Sequence, residues 1–300
     1  MNAIRSLEYK RKRNTAIVTT VFLVPVFFFL ILFIIYPIVD SFWLSLYKWN
    51  GISANKTFIG LENWKDIITD MTFLKAFKNN MIIVVLSIII QLPIAMAIAY
   101  FLDTGGRKLN LFKIVYFLPM LMSSVAVGFL FRYTYDPQFG LISAISSLFG
   151  GTDMVDLLGN SKIAIYAVIA VICWQFIPFY MVYFLAGLSS LPTEVYEAAI
   201  IDGATRGQYF WKVAMPCMKG TIKSASILSL VGSLKYFDLI YVMTQGGPSG
   251  ATELMATYMY KNAFQINKMG YGSTVAAGMF IIITLISLVT LRIINGKEEA

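Results

Sequence analysis

An all-α integral membrane fold with six transmembrane helices is what this sequence predicts, on three observations. Apolar runs of about twenty residues recur along the chain, the length needed to cross roughly 30 Å of hydrocarbon. Of the 300 residues, 58% are hydrophobic and 13% charged, too few charges to cover a soluble fold of this size. Lysine and arginine also concentrate in alternate inter-span segments, as in chains sorted by charge across a bilayer.

Spans are expected at about 16–37, 80–102, 112–133, 162–188, 220–243 and 272–294, in one domain between a basic tail at about 1–15 and a short tail at about 295–300. The first run, IVTTVFLVPVFFFLILFIIYPI, follows the triplet RKR like a signal sequence. It exceeds the usual apolar region of such a leader and lacks a small-residue cleavage pattern, so it is read as a retained span. Internal prolines (Pro25, Pro93, Pro119, Pro178) are expected to kink their helices and free backbone groups for neighbours to satisfy.

Sidedness follows from the basic residues. Five lie in the N-terminal tail (Arg5, Lys10, Arg11, Lys12, Arg13), and three (Arg107, Lys108, Lys113) at the link after the second span. Four (Arg206, Lys212, Lys219, Lys223) belong to the segment after the fourth, and two (Arg292, Lys297) to the C-terminal end. That side is expected to be cytoplasmic, with both termini on it. The net charge of +8 then records orientation, and no nucleic-acid partner is implied. On the opposite side, the segment SFWLSLYKWNGISANKTFIGLENWKDIITDMTFLKAFKNN is rich in aromatics, which suit either an interfacial belt beside lipid or a small folded cap.

Composition also excludes classes. There is no histidine, and Cys173 and Cys217 have no metal-ligand spacing, so no metal site is expected. No GxxxxGK[ST] phosphate loop occurs, so nucleotide has no site in this chain. A membrane enzyme needs a convergent nucleophile, base or metal set, and none is present. An ion-coupled secondary carrier for a small polar solute is the alternative reading; it predicts intramembrane acids, and Asp238 alone lies clearly inside a span.

The segment EAAIIDGATRGQYFWKVAMP, between the fourth and fifth spans, is too polar to cross a bilayer and too apolar for a solvated loop. Pro192 suits a helix start, and Glu194 and Glu197 suit the positive end of the helix dipole. A short helix over about 193–202 should stop at Gly203, which adopts the left-handed conformation readily. Thr205-x-x-Gln208 fits a capping box opening a second short helix, and Pro216 marks the entry to the fifth span. The acids Glu194, Glu197 and Asp202 would be repelled by anionic lipid, so a protein groove lined with cations fits this hairpin better than headgroups.

Glu197-Ala198-Ala199, three residues, Gly203, nine residues, Val213, then Met215-Pro216 resembles the EAA signature of binding-protein-dependent ABC importer permeases. YPIVDSFWLSLYKWN, FIGLENW, YFLP, TQGGP and MGYGSTVAAGMF resemble the carbohydrate-uptake branch, in the first permease of lactose, multiple-sugar or glycerol-3-phosphate type. The resemblance covers essentially the whole chain. It implies a type I importer permease in a bacterial cell membrane, working with a second permease, two ATPase subunits that bind the ATP, and an extracytoplasmic solute-binding protein. By the same resemblance Glu197, Ala198, Ala199, Asp202, Gly203 and Pro216 belong to the ATPase-coupling loop, and Gly246, Gly247 and Pro248 to a loop near the binding protein.

Sugars present hydroxyls and apolar ring faces, so aromatics interleaved with amides and carboxylates suit them. Candidates on the fourth span are Trp174, Gln175, Tyr180 and Tyr183, and on the fifth Ser229, Ser233, Tyr236 and Asp238. Against this, tyrosine and tryptophan near helix ends anchor the interface, and buried serines bond a neighbouring helix. Lys235 and Asp238, three apart, are expected to neutralise each other on one helix face.

Overall fold

The computed structural model describes residues 18–149 and 156–295; the expected basic tail and the residues past 295 lie outside them. The chain is mostly helical. Helix α1 (Val18–Leu44) leads into a two-stranded hairpin, β1 (Tyr47–Lys48) and β2 (Thr57–Phe58), and a short helix α2 (Glu62–Thr69). A long helix α3 (Met71–Gly105) follows, then α4 (Asn110–Leu121), α5 (Ser124–Thr134) and α6 (Leu141–Leu148). The second half comprises α7 (Ala164–Ser189), α8 (Thr193–Ile201), α9 (Arg206–Tyr209), α10 (Lys219–Leu234), α11 (Asp238–Thr244), α12 (Met255–Tyr260) and α13 (Met269–Asn295).

Among the described residues four helices (α1, α3, α7 and α13) are long and apolar enough to cross a membrane, and up to six spans result if two bent pairs each count as one. The expected third span bends by 93° between α4 and α5, and the fifth by 45° between α10 and α11. At the first break Met122 is extended and the Ser123 hydroxyl accepts from the Val125 N–H, capping a new helix. Pro119, three residues earlier, withholds an N–H donor from the turn before the bend. Pro178, by contrast, sits inside an unbroken α7.

Three other prolines share one local solution. Pro37, Pro93 and Pro216 each lie two residues beyond a π-helical turn, at Ile31–Ile35, Ser87–Gln91 and Phe210–Ala214. A wider turn relieves the clash of the proline ring with the carbonyl four residues back, so the helix continues without breaking.

The second half of α3 and helix α7 pack along each other at the centre, with α4 against α7. Ile83, Leu102, Val168, Ile172, Met181 and Phe184 are buried there, and the same cluster runs on to Ala199, Tyr209, Phe210 and Met218 below the bundle. A second cluster, around Ile67, Phe73, Leu230, Leu234, Met255 and Val275, lies at the other end. Helix α1 stands apart: none of its most apolar stretch is buried, and only its end, from Tyr36 on, packs on α13.

Of the two readings of the aromatic segment after α1, the folded cap is what forms. The Asn63 amide donates to the carbonyls of Ser45 and Tyr47, at 2.8 and 3.1 Å, and the Trp64 indole N–H to the Ser45 hydroxyl at 2.9 Å. The hairpin then lies on the start of α13, where a Cβ on Gly270 would come within 1.9 Å of the Tyr47 oxygen, so only glycine fits.

Asp70 joins three elements of this end. It caps α3, accepting from the N–H groups of Thr72 and Phe73 at 2.8 and 3.2 Å, and its other oxygen accepts from the hydroxyls of Tyr258 and Tyr271. Burial opposes its charge, but the bonds from the two tyrosines and two backbone groups outweigh that and hold the carboxyl below its usual range. Burial, then the Asp70 carboxylate, push Tyr258 up to about 12. The sign differs for the two groups. The Asp70 contribution to stability is present above its unfolded value and is lost as pH falls through the lowered one; that of Tyr258 is present below its ordinary 10.0 and is lost as pH rises through about 12. Asp70→Asn is therefore expected to move Tyr258 back toward 10.0. The check is the tyrosinate absorbance titration, taken as the difference between proteins with and without Tyr258→Phe; an unchanged alkaline midpoint refutes the linkage.

Candidate functional site

The polar segment between α7 and α10 folds as two short helices meeting at a glycine. Pro192 is the residue before α8, with extended ψ, and Glu194 lies in the first turn. Helix α8 ends as local chemistry dictates: Gly203 has φ +79°, its N–H reaches the Ile200 carbonyl, and the Ala204 N–H reaches Ala199, both at 2.9 Å. That pair of bonds is a Schellman closure. Immediately after it, Thr205 and Gln208 make both bonds of a capping box, at 3.3 and 2.8 Å, and open α9. Helix α9 runs on through its π turn to Pro216 and Cys217, and α10 begins at Lys219.

This elbow is fixed at its root and bare at its tip. Ala199, Tyr209 and Phe210 are buried, Tyr196 meets Tyr209 edge-on at 5.0 Å, and Phe210 lies 4.3 Å from the ring of Tyr100 on α3. The Tyr100 hydroxyl donates to the Arg206 carbonyl at 2.7 Å, tying the second short helix to α3. Glu197, Ala198, Asp202, Gly203 and Pro216 are exposed. Ile201 at the tip is 85% exposed, and Ile200 and Tyr196 on the same short helix are 43% and 38% exposed, so the tip presents an apolar patch of the kind that marks an interaction surface. Of the six expected coupling residues, Ala199 alone faces inward, holding α8 to the bundle.

In the bundle, the structure brings together part of the expected polar set. Gln175, Tyr180, Ser229 and Ser233 are buried, and Tyr236 is partly buried, with its ring 5.5 Å from Phe176. The Gln175 amide donates to the Met122 carbonyl at 3.3 Å, so α7 satisfies a group freed by the bend of the third span. The Gln175 Oε1 and the hydroxyls of Ser229 and Ser233 have no hydrogen-bond partner among the described residues. Buried polar atoms without partners are uncommon and demand a reason.

Trp174 and Tyr183 point elsewhere. Trp174 is exposed, with its ring edge-on to Phe131 at 5.1 Å, and Tyr183 stacks on Phe179 at 6.4 Å. Asp238 is exposed at the start of α11 and forms no pair with Lys235, contrary to expectation. The helix stops at Leu234 and restarts at Asp238, so the two residues never share the face that a continuous helix would have given them.

Sequence reasoning missed Gln91 and Ser87. Both are buried on α3, the Gln91 amide donates to the Ser87 hydroxyl at 3.2 Å, and Gln91 sits beside Cys173 and Tyr236, extending the polar seam to a third helix. A glutamine within an apolar run was the available signal.

The TQGGP loop is more than a turn. Its Gly246 has φ +81° and passes so close to Glu253 that a Cβ there would meet the carboxylate at 2.4 Å. Glu253 is buried, accepts from the Thr257 hydroxyl at 2.6 Å and pairs with Lys261 at 2.5 Å. Thr252 donates to the Gly247 carbonyl at 2.6 Å, and the Asn79 amide of α3 donates to Ala251 and Glu253 carbonyls at 3.1 and 2.9 Å. Gly247 and Pro248 thus belong to a preformed surface, at the end of the molecule away from the elbow.

Residues 91–297 match the family of binding-protein-dependent transport system inner membrane components. The probable ABC transporter permease protein YurN of Bacillus subtilis (strain 168) is 35% identical, over 94% of this chain and 98% of its own. The multiple sugar-binding transport system permease protein MsmF of Streptococcus mutans serotype c is 30% identical, over 89% of this chain and 92% of its own. Among solved structures, a chain of a bacterial alginate ABC transporter, in complex with an alginate pentasaccharide-bound periplasmic protein, superposes with a TM-score of 0.81. That match covers 93% of this chain and 94% of the other at 20% identity, a likeness of fold.

Proposed function

The chain belongs to the family of binding-protein-dependent transport system inner membrane components, and from that premise we propose how it takes part in ATP-driven sugar uptake. It is the permease subunit of a binding-protein-dependent importer, a multi-pass inner-membrane protein without catalytic chemistry of its own, and ATP is bound by the ATPase subunits. The sugar branch is carried by MsmF and by the wider carbohydrate likeness. In our reading, both termini and the elbow lie in the cytoplasm, a second permease completes the pathway, and two ATPases drive the pair.

The observation that carries this reading is the elbow, rigid at its root and uncovered at its acidic and apolar tip. Closure of an ATPase dimer on ATP moves a cleft that holds Glu197 and Ile201. Because Tyr100 and Phe210 tie the second short helix to α3, the displacement enters the bundle through α3 as well as through α7 and α10.

Sugar would pass along the seam of Gln91, Gln175, Ser229, Ser233 and Tyr236, where unpartnered polar atoms find hydroxyls as substrate arrives. Trp174, Tyr183 and Asp238 stay in the proposal only as residues that the second permease or the sugar meets at the rim. The test is the complex in liposomes with its binding protein, assayed for sugar-stimulated ATP hydrolysis and uptake. Gln175→Leu and Ser233→Val are each expected to raise the sugar concentration for half-maximal uptake about tenfold, the loss of one or two hydrogen bonds, with ATPase assembly intact. Unchanged uptake in both would remove the seam from the pathway, while an ion gradient driving uptake without ATP would establish the carrier alternative.

A further inference from the structure

A cavity of about 700 Å³ opens at the end of the protein away from the elbow, between the hairpin, α2 and the segment leading into α13. None of the seam residues lines it. Its volume is that of a small-molecule site, roughly 300–1,000 Å³.

Its walls carry polar groups that no other described residue bonds. Glu62 and Asp66, four apart on one face of α2, both line it, and neither carboxylate has a partner among the described residues. The next carboxylate along that line, Asp70, is already saturated by four donors. Two asparagines point to a ligand independently of the acids. Asn63 and Asn262 are only 7% and 5% exposed; each spends its amide N–H₂ on backbone carbonyls, while its oxygen accepts nothing among the described residues. Buried amides half-satisfied on a cavity wall are acceptors held ready for a donor.

The charge balance narrows the ligand. Three carboxylates, Glu62, Asp66 and Asp70, stand against three lysines: Lys48 and Lys268 on the cavity wall, and Lys56, whose ammonium lies 4.2 Å from the centre of the Trp49 ring. A site with as many cations as anions favours no net charge in its occupant. Acceptors and donors both line it, beside the rings of Tyr258 and Tyr271, and that is how hydroxyl-rich, ring-faced molecules are held.

We propose that this cavity binds a short neutral oligosaccharide on the outer face of the permease, at a site separate from the pathway. Vicinal hydroxyls donate to Glu62, Asp66 and the two amide oxygens, and the lysines donate to the remaining sugar oxygens. The proposal rests on the chain belonging to a sugar importer, not on which residues line the seam.

The test uses the assembled permease–ATPase complex in lipid nanodiscs, without the binding protein, probed by saturation-transfer NMR with maltotriose, cellotriose, xylotriose and raffinose. At least one is expected to bind. Glu62→Gln with Asp66→Asn should weaken it at least about tenfold, since each carboxylate makes a charge-assisted bond. Gln175→Leu should leave this affinity unchanged. Both acids are exposed and unpartnered, so the double variant should keep the wild-type melting temperature. The proposal is overturned if none of the four sugars binds, or if the double variant binds as tightly as wild type. It is equally overturned if the double variant weakens capture of the binding protein while sugar affinity stands, for then the cavity is a protein-docking surface. In every one of these cases the wild-type complex with its binding protein still hydrolyses ATP in response to sugar, which separates this failure from failure of the importer reading.

Discussion

Glu197→Lys is expected to abolish sugar-stimulated ATP hydrolysis while all spans remain inserted. Glu197 is exposed on the uncovered side of α8, and no hydrogen bond or ion pair holds it to another of the described residues. Reversing its charge therefore leaves the fold alone and acts on whatever covers the tip. An anionic elbow of Glu194, Glu197 and Asp202 calls for a cationic cleft, and a lysine placed there meets like charge across a desolvated contact. Loss of one partner of such a pair costs about 2 kcal/mol or more, at least thirtyfold in affinity, and reversal adds repulsion. The measurement is co-purification of the ATPase with the variant, beside hydrolysis in liposomes. Wild-type transport by Glu197→Lys would end the coupling role of the elbow.

Glu253→Ala should be the most damaging change at the opposite end. The carboxylate bonds Thr257 and Lys261 and fills the space left by Gly246, so removing it strands a lysine and opens a void under the TQGGP loop. Breaking a buried ion pair from one side costs about 3–5 kcal/mol; the Lys261 side chain, 26% exposed, can turn toward water, which places the expected loss near the lower figure. Thermal unfolding in detergent measures it. Glu253→Gln keeps the acceptor for Thr257 and should fall between wild type and alanine. Capture of the binding protein should weaken with both, in the same order, if the loop is part of its seat. An alanine variant as stable as wild type would mean that Asn79, Lys75 and Thr252 hold the loop unaided.

The two ends differ in how far the sequence discloses them. Around the elbow, every stop and start comes from residues within five positions of each other: Gly203 closes α8 on Ala199 and Ile200, and Thr205 and Gln208 cap α9 reciprocally. Such chemistry can be read from spacing. The TQGGP surface and the Asp70 junction use partners more than a hundred residues apart, Asn79 with Ala251 and Asp70 with Tyr258 and Tyr271. No local pattern announces them. Gln91 belongs to the same class, since its bearing on the seam depends on α3 lying beside α7 and α10.

By itself the sequence determined the membrane class, the six apolar segments and the two-helix elbow with its glycine, because hydrophobic length and capping are properties of contiguous residues. Only the tertiary structure decided that the third and fifth spans bend and that Lys235 and Asp238 stay apart. It also decided that Gln175 answers a carbonyl freed at Met122, and that the aromatic segment folds into a cap enclosing a cavity. The physical reason is that a broken helix and a half-satisfied amide depend on what the rest of the chain brings within bonding distance, and that is settled by packing between distant segments.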